Sequence, residues 1–133
     1  MTRKIDYEDI LFAQMKLNGI PLPLRQYKAT QAKSWKTDFC WLKEKLICEV
    51  DGGVGVRWHY NPITKERKAF TGSHTTMLGY EKNRLQDAAA FKEGYTVLRV
   101  TPSMIGKGNS SVACDLVKQY LEKLKENKKI DTL

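Results

Sequence analysis

Asp38, Glu49 and Asp51 are the residues whose chemistry stands out against their surroundings. They sit in two apolar, β-rich runs, Trp35-Lys36-Thr37-Asp38-Phe39-Cys40-Trp41 and Leu46-Ile47-Cys48-Glu49-Val50-Asp51-Gly52-Gly53. Charges are disfavoured in such strands. The runs flank the charged tetrapeptide Leu42-Lys43-Glu44-Lys45, which predicts a hairpin. A turn centred between Lys43 and Glu44 puts Asp38 directly opposite Glu49, with Cβ atoms roughly 5 Å apart. Asp51, two residues beyond Glu49, projects from the same face. Carboxylates this close repel one another, and partial burial raises the cost. A hard divalent cation removes the conflict: Mg²⁺, with Mn²⁺ able to substitute, takes oxygen ligands from Asp38, Glu49, Asp51 and the backbone carbonyl of Val50 while keeping several waters. Such an ion polarises a phosphate and lowers the pKa of an attacking water, which is the chemistry of phosphodiester hydrolysis. The plainer alternative is an Asp51-Gly52 turn after an edge strand whose charges face solvent. The pattern alone leaves both open.

The elements that must position these carboxylates are legible around them. Asp6 is a predicted N-cap, and Tyr7, Ile10, Leu11 and Met15 recur at helical spacing, so Asp6 to Leu17 reads as an amphipathic helix ended by Asn18-Gly19. Pro21 and Pro23 keep the next stretch extended, and a short strand is expected from Arg25 to Ala29. In the hairpin, Phe39, Trp41, Leu46, Cys48 and Val50 line one face, while Cys40 and Ile47 make the other apolar as well. A sheet covered on both sides follows. The stretch Val54 to Ser73 is basic, aromatic and Gly-containing, and reads as an exposed excursion built on a second small hairpin. After Gly79 a helix is expected from Tyr80 to Lys92, stopped by Gly94. Thr96 to Val100 is a strand closed by Pro102. Ser110 or Ser111 caps a last helix with Val112, Leu116, Val117, Tyr120, Leu121 and Leu124 as its apolar stripe, fraying through Lys125 to Lys129. The order helix, three strands, helix, strand, helix predicts an α/β layered fold.

At 133 residues the chain is expected to form one domain, 1–133. Its 41% hydrophobic and 29% charged residues suit a globular protein, and no apolar run is long enough for a membrane span. Cys40, Cys48 and Cys114 are odd in number and lie among apolar neighbours, so they read as buried thiols of a reducing compartment, not as a disulfide framework or zinc site. With no export signal read at the N-terminus, a cytoplasmic location is expected. Lys and Arg number 23 against 15 acidic residues, a net charge of +8, which favours a polyanionic partner.

Further stretches sharpen this reading: Gly19-Ile20-Pro21-Leu22-Pro23, Gly72-Ser73-His74, Gly79-Tyr80-Glu81 and Gly94-Tyr95-Thr96-Val97-Leu98-Arg99-Val100-Thr101. Together with Trp35 to Phe39 and Glu49 to Gly53, in this order and spacing, they resemble the PD-(D/E)XK nucleases. The likeness is closest to small phage and bacterial endonuclease-like proteins related to very-short-patch repair endonucleases. The resemblance implies a restriction-endonuclease-like core of helix, three strands, helix, strand, to which this chain adds a C-terminal helix. It implies Asp38 as the first metal-binding aspartate and Glu49 as the acidic residue of the second motif. Asp51 stands where that family usually has lysine, so the group that orients the water or stabilises developing charge must come from elsewhere, with His74, Lys82 and Gln86 as candidates. His74 suits a general base or a proton donor to the leaving oxygen, against a reading as an ordinary loop histidine. Asn83 stands where relatives often carry aspartate. Glu8 is a further metal-ligand candidate, or simply an acidic residue favoured at a helix start.

For substrate contact the candidates are Arg57, Trp58, His59, Tyr60, Lys65, Arg67 and Lys68, whose cations can neutralise phosphates and whose rings can stack on bases. The same residues also suit a solvated loop. The expectation is a Mg²⁺-dependent DNA endonuclease directed to DNA structures or junctions, working in phage or mobile-element DNA processing inside a bacterium or infected host cell, with no organic cofactor and no membrane partner. One site nicks one strand; double-strand cleavage would call for a homodimer. The rivals are an RNA nuclease and a catalytically silent nucleic-acid-binding module of the same fold.

Overall fold

The computed structural model describes the backbone of residues 6–32, 34–52, 56–61, 66–71 and 77–131, and their side chains except at 56–61, 66–71, 77–80 and 129–131. Helix α1, Tyr7–Leu17, starts where Asp6 accepts the N–H groups of Glu8 and Asp9, which would otherwise be unpaired. It ends on Gly19, whose φ of +68° lets Ile20 N–H reach back to the Met15 carbonyl at 3.0 Å. That turn drives Ile20 into the core.

Four strands follow the expected order: β1 (Leu24–Tyr27), β2 (Thr37–Trp41), β3 (Leu46–Val50) and, after an excursion, β6 (Thr96–Val100). The first strand begins one residue before the expected Arg25 and stops at Tyr27, short of Ala29. The sheet runs β1-β2-β3-β6, antiparallel across the first two junctions and parallel between β3 and β6. Pairing of Phe39 with Cys48, Cys40 with Ile47 and Trp41 with Leu46 is the register that the turn at Lys43-Glu44 requires. The excursion is an antiparallel hairpin, β4 (Val56–Asn61) with β5 (Glu66–Thr71), forming its own two-stranded sheet.

Alternation along β2 and β3 divides the molecule into layers. Phe39, Trp41, Leu46 and Cys48, joined by Leu98 and Val100, meet Leu11 and Met15 of α1 and Ala113, Cys114, Val117 and Leu121 of α4 (Val112–Asp131). Burying each large apolar side chain here stabilises the fold by roughly 2 kcal/mol. The opposite face carries Cys40 and Ile47, covered by Trp35 and by Ala90 of α2 (Met77–Lys92). This is a mixed α/β architecture with helices on both sides of a small sheet.

Three helix boundaries differ from expectation. Helix α2 begins at Met77 and runs through Gly79, so that glycine does not precede the helix. It stops at Gly94 (φ +82°), where Tyr95 N–H returns to the Ala90 carbonyl at 2.8 Å. Pro102 does close β6, but it also opens a four-residue helix, α3 (Pro102–Ile105); proline suits the first helical position, where its missing N–H costs nothing. In α4, Ser111 is the cap, its Oγ accepting Cys114 N–H at 3.0 Å. Val112, expected in the apolar stripe, is 61% exposed because the buried side of the first turn is taken by Ala113 and Cys114. The basic stretch from Lys125 to Lys129 stays helical, as α4 continues to Asp131. Among the described residues no helix is long and apolar enough to cross a membrane.

Candidate functional site

The carboxylates gather where β2 begins and β3 ends, at the open end of the hairpin. The register, carried one residue beyond the Phe39–Cys48 pair, sets Asp38 opposite Glu49. Asp38 is held by the backbone: its Oδ2 accepts Val50 N–H at 2.8 Å, and its Oδ1 receives the Gln26 carboxamide at 3.4 Å. Glu49 is 8% exposed, and its Oε1 accepts the Trp35 indole N–H at 2.9 Å. Burial pushes the Glu49 carboxyl up to about 9, helped by the hydrogen bond to Asp38 and by that neighbour's charge, and opposed by Trp35 and Arg99. Glu49 therefore retains its proton at neutral pH when no cation is bound.

Asp51 continues the strand direction, its N–H donating to the Val100 carbonyl at 2.8 Å. Its Oδ1 is held by Arg99 Nη1 at 3.1 Å. Arg99 stands beside Glu49 in the parallel register, and its other arm, Nη2, reaches Asp87 of α2 at 2.6 Å. Burial works against the Arg99 charge, but Asp87 and Asp51 outweigh it and hold the guanidinium firmly protonated.

A cleft of about 620 Å³ opens over this group, with Asp38, Glu49, Val50, Asp51, Lys82 and Gln86 in its walls alongside Lys36 and Arg99. The structure thus brings five of the sequence candidates and Val50 together. The Val50 carbonyl accepts Gly52 N–H at 3.1 Å and keeps a second lone pair. Glu8 lies in an adjoining cleft of about 510 Å³ that shares Asp38 and Val50 as walls. The Gln26 carboxamide links them, donating to Glu8 Oε1 at 3.0 Å as well as to Asp38. Gln26 holds φ at +51°, a strained value for a non-glycine residue, in the strand beside the carboxylates. Burial raises the Glu8 carboxyl above its ordinary value, against the lowering effect of Gln26.

His74 and Lys65 lie outside the described residues. Arg57, Trp58, His59, Tyr60, Arg67 and Lys68 fall on β4 and β5, where the backbone pairs His59 with Lys68 and Tyr60 with Arg67. Arg99, Trp35, Lys36, Gln26 and Asp87 were not foreseen as participants. Arg99 had a signal, since a cation inside Thr96 to Val100 is as anomalous as Glu49 inside β3. Trp35 had none, because its bond to Glu49 depends on the path of the chain into β2.

Among the described residues no set of three or more His, Cys, Asp and Glu side chains converges as a ready-made metal cage. The Asp38–Glu49 pair nonetheless fits a hard cation. It offers two oxygen donors in a polar cleft, and the proton that Glu49 retains neutralises charge where a dication would do the same. No protein-family model, curated protein or solved structure matches the chain.

Proposed function

We propose that this chain is a divalent-metal-dependent endonuclease that hydrolyses DNA phosphodiester bonds, with Asp38 and Glu49 as ligands of Mg²⁺ or Mn²⁺. The observation that carries this is the register-matched carboxylate pair, buried enough to retain a proton and open to a cleft walled by Lys36, Lys82 and Arg99. A protein stabilises two facing acids poorly unless something positive is to sit between them. Bound there, the ion would supply electrophilic stabilisation of charge on the phosphate.

The chain's own residues prepare the site. Val50 N–H fixes the Asp38 carboxylate, and the Trp35 indole fixes one oxygen of Glu49. Lys36 and Lys82, on the cleft wall, draw the phosphate in and balance its charge. Hydrolysis adds one water across the phosphorus–oxygen bond: the water oxygen bonds to phosphorus, the bridging oxygen leaves with a proton, and the second proton is released to solvent. The net charge of +8 suits a polyanion. With the β4–β5 hairpin set aside as an insertion between β3 and α2, the order α1, β1, β2, β3, α2, β6 supports reading the fold as a restriction-endonuclease-like core.

The test is incubation of the purified chain with branched, mismatched and linear DNA, and with RNA, in Mg²⁺ or Mn²⁺. Cleavage of at least one DNA that requires the ion and is lost in Asp38→Asn supports the reading. Equal cutting by that variant, or DNA binding with no cutting and no ion uptake, overturns it; the second outcome identifies a silent binding module.

A further inference from the structure

Arg99 holds one carboxylate in each arm of its guanidinium, Asp51 at 3.1 Å and Asp87 at 2.6 Å, with its own side chain 22% exposed and that of Asp51 16% exposed. Its Nε–H is buried and, among the described residues, has no acceptor. The fork is thus oriented by the two carboxylates it joins, at the expense of its third donor position. The consequence for Asp51 is specific. Oδ1 is committed to Arg99, while Oδ2 is engaged by no described residue and Asp51 lines the cleft shared with Asp38 and Glu49. The same commitment explains why the three acidic residues on this face do not close into a three-carboxylate cage.

We propose that Arg99 is a positioning residue that withholds Asp51 from the cation and aims its remaining oxygen at the attacking water. Asp38 and Glu49 hold the ion; Asp51 accepts a hydrogen bond from the water. Arg99 neutralises the third negative charge that would otherwise repel the approaching phosphate, and through Asp87 it fixes α2, which carries Lys82 and Gln86, against the same strand. This inference rests on the nuclease reading above.

The experiment measures Mn²⁺ binding to the full chain by calorimetry, with cleavage of a DNA substrate measured in parallel. In Asp51→Asn the lost charge is expected to weaken Mn²⁺ by no more than about tenfold, while cleavage falls at least about a hundredfold, the usual scale for losing one group that acts on the transition state. In Arg99→Met the freed Asp51 and the lost positive charge are expected to tighten Mn²⁺ by about tenfold, the effect on a dication of one unit charge several ångströms away at water-like dielectric, while cleavage falls. Damage to the fold alone would weaken both, so tightening with loss of activity marks positioning. If Arg99→Met does not fold, Asp51→Asn decides. Mn²⁺ binding weakened about a hundredfold or more in Asp51→Asn, beyond what the lost charge alone accounts for, with the unmodified chain cutting DNA, makes Asp51 a ligand and overturns this inference while leaving the nuclease reading intact. Undiminished cleavage in Asp51→Asn overturns it too. An unmodified chain that neither binds Mn²⁺ nor cuts removes both.

Discussion

The Asp38 carboxylate accepts the backbone N–H of Val50 at 2.8 Å, so the aspartate on β2 is tied to the strand that carries its partner Glu49. An asparagine can keep this bond through its carbonyl oxygen; an alanine cannot. Asp38→Asn is expected to melt within a few degrees of the unmodified chain, and Asp38→Ala to lose about 1–2 kcal/mol in urea unfolding. Both are expected to lose cleavage, which separates the structural bond from the chemistry.

Stability without metal is expected to fall as pH rises. The Glu49 carboxyl is raised from 4.5 to about 9 in the folded chain. Between those values the folded state holds a proton that the unfolded state has released. The slope of stability with pH is therefore negative in that window. The stabilisation is fully present below the unfolded value and is lost as pH climbs through about 9. Melting temperatures from pH 5 to pH 9 should show the decline, and Glu49→Gln, which cannot ionise, should flatten it. A Glu49→Gln profile as steep as the unmodified one would assign the slope elsewhere.

Trp35 is 5% exposed and donates to Glu49 at 2.9 Å. Replacing it by phenylalanine removes the donor and leaves a smaller ring in its place. Trp35→Phe is expected to cost about 1–3 kcal/mol in denaturant unfolding. It should also weaken Mn²⁺, because the indole opposes protonation of the ligand.

The three cysteines are free and buried, and burial lifts the Cys40 thiol to about 11 and the Cys48 thiol higher still. Thiolates are the reactive form. A disulfide-exchange reagent at pH 8 should therefore label the native chain only slowly, and all three thiols promptly after denaturation. Rapid labelling of the native chain would contradict the packing.

Gln14 is 1% exposed, and its carboxamide spans three partners: it donates to the Ile105 and Gly108 carbonyls at 2.9 and 3.0 Å and accepts from Ser111 Oγ at 2.6 Å. It pins the segment between α3 and α4 to α1. Gln14→Ala leaves these groups unpaired and a void beside them, with an expected loss of about 2–4 kcal/mol by thermal or urea unfolding.

Much of the fold could be read from local pattern because its causes are local. The spacing of Tyr7, Ile10, Leu11 and Met15 and the Asp6 cap define α1, and alternation on either side of Leu42 to Lys45 defines both the register of β2 with β3 and the face shared by Asp38 and Glu49. What escaped depends on distant parts of the chain. Pro102 marks both the end of a strand and the first position of α3, and its sequence neighbours do not separate the two. Met77 to Gly79 join α2 despite the glycine, and Val112 is turned out to solvent by the way α4 meets the sheet. In the site, the Arg99 clamp follows from a parallel pairing of β3 with β6 that no nearby residue announces. The positive φ of Gln26 likewise has no marker in the sequence.

Side-chain alternation along β3 puts Leu46 and Cys48 under the helices and Glu49 beneath the cleft, one residue apart. Selection on folding and selection on chemistry therefore read different letters of a single five-residue word. A lineage can rewrite one set and spare the other, but inserting or deleting a single letter there would exchange the two sets and cost it both.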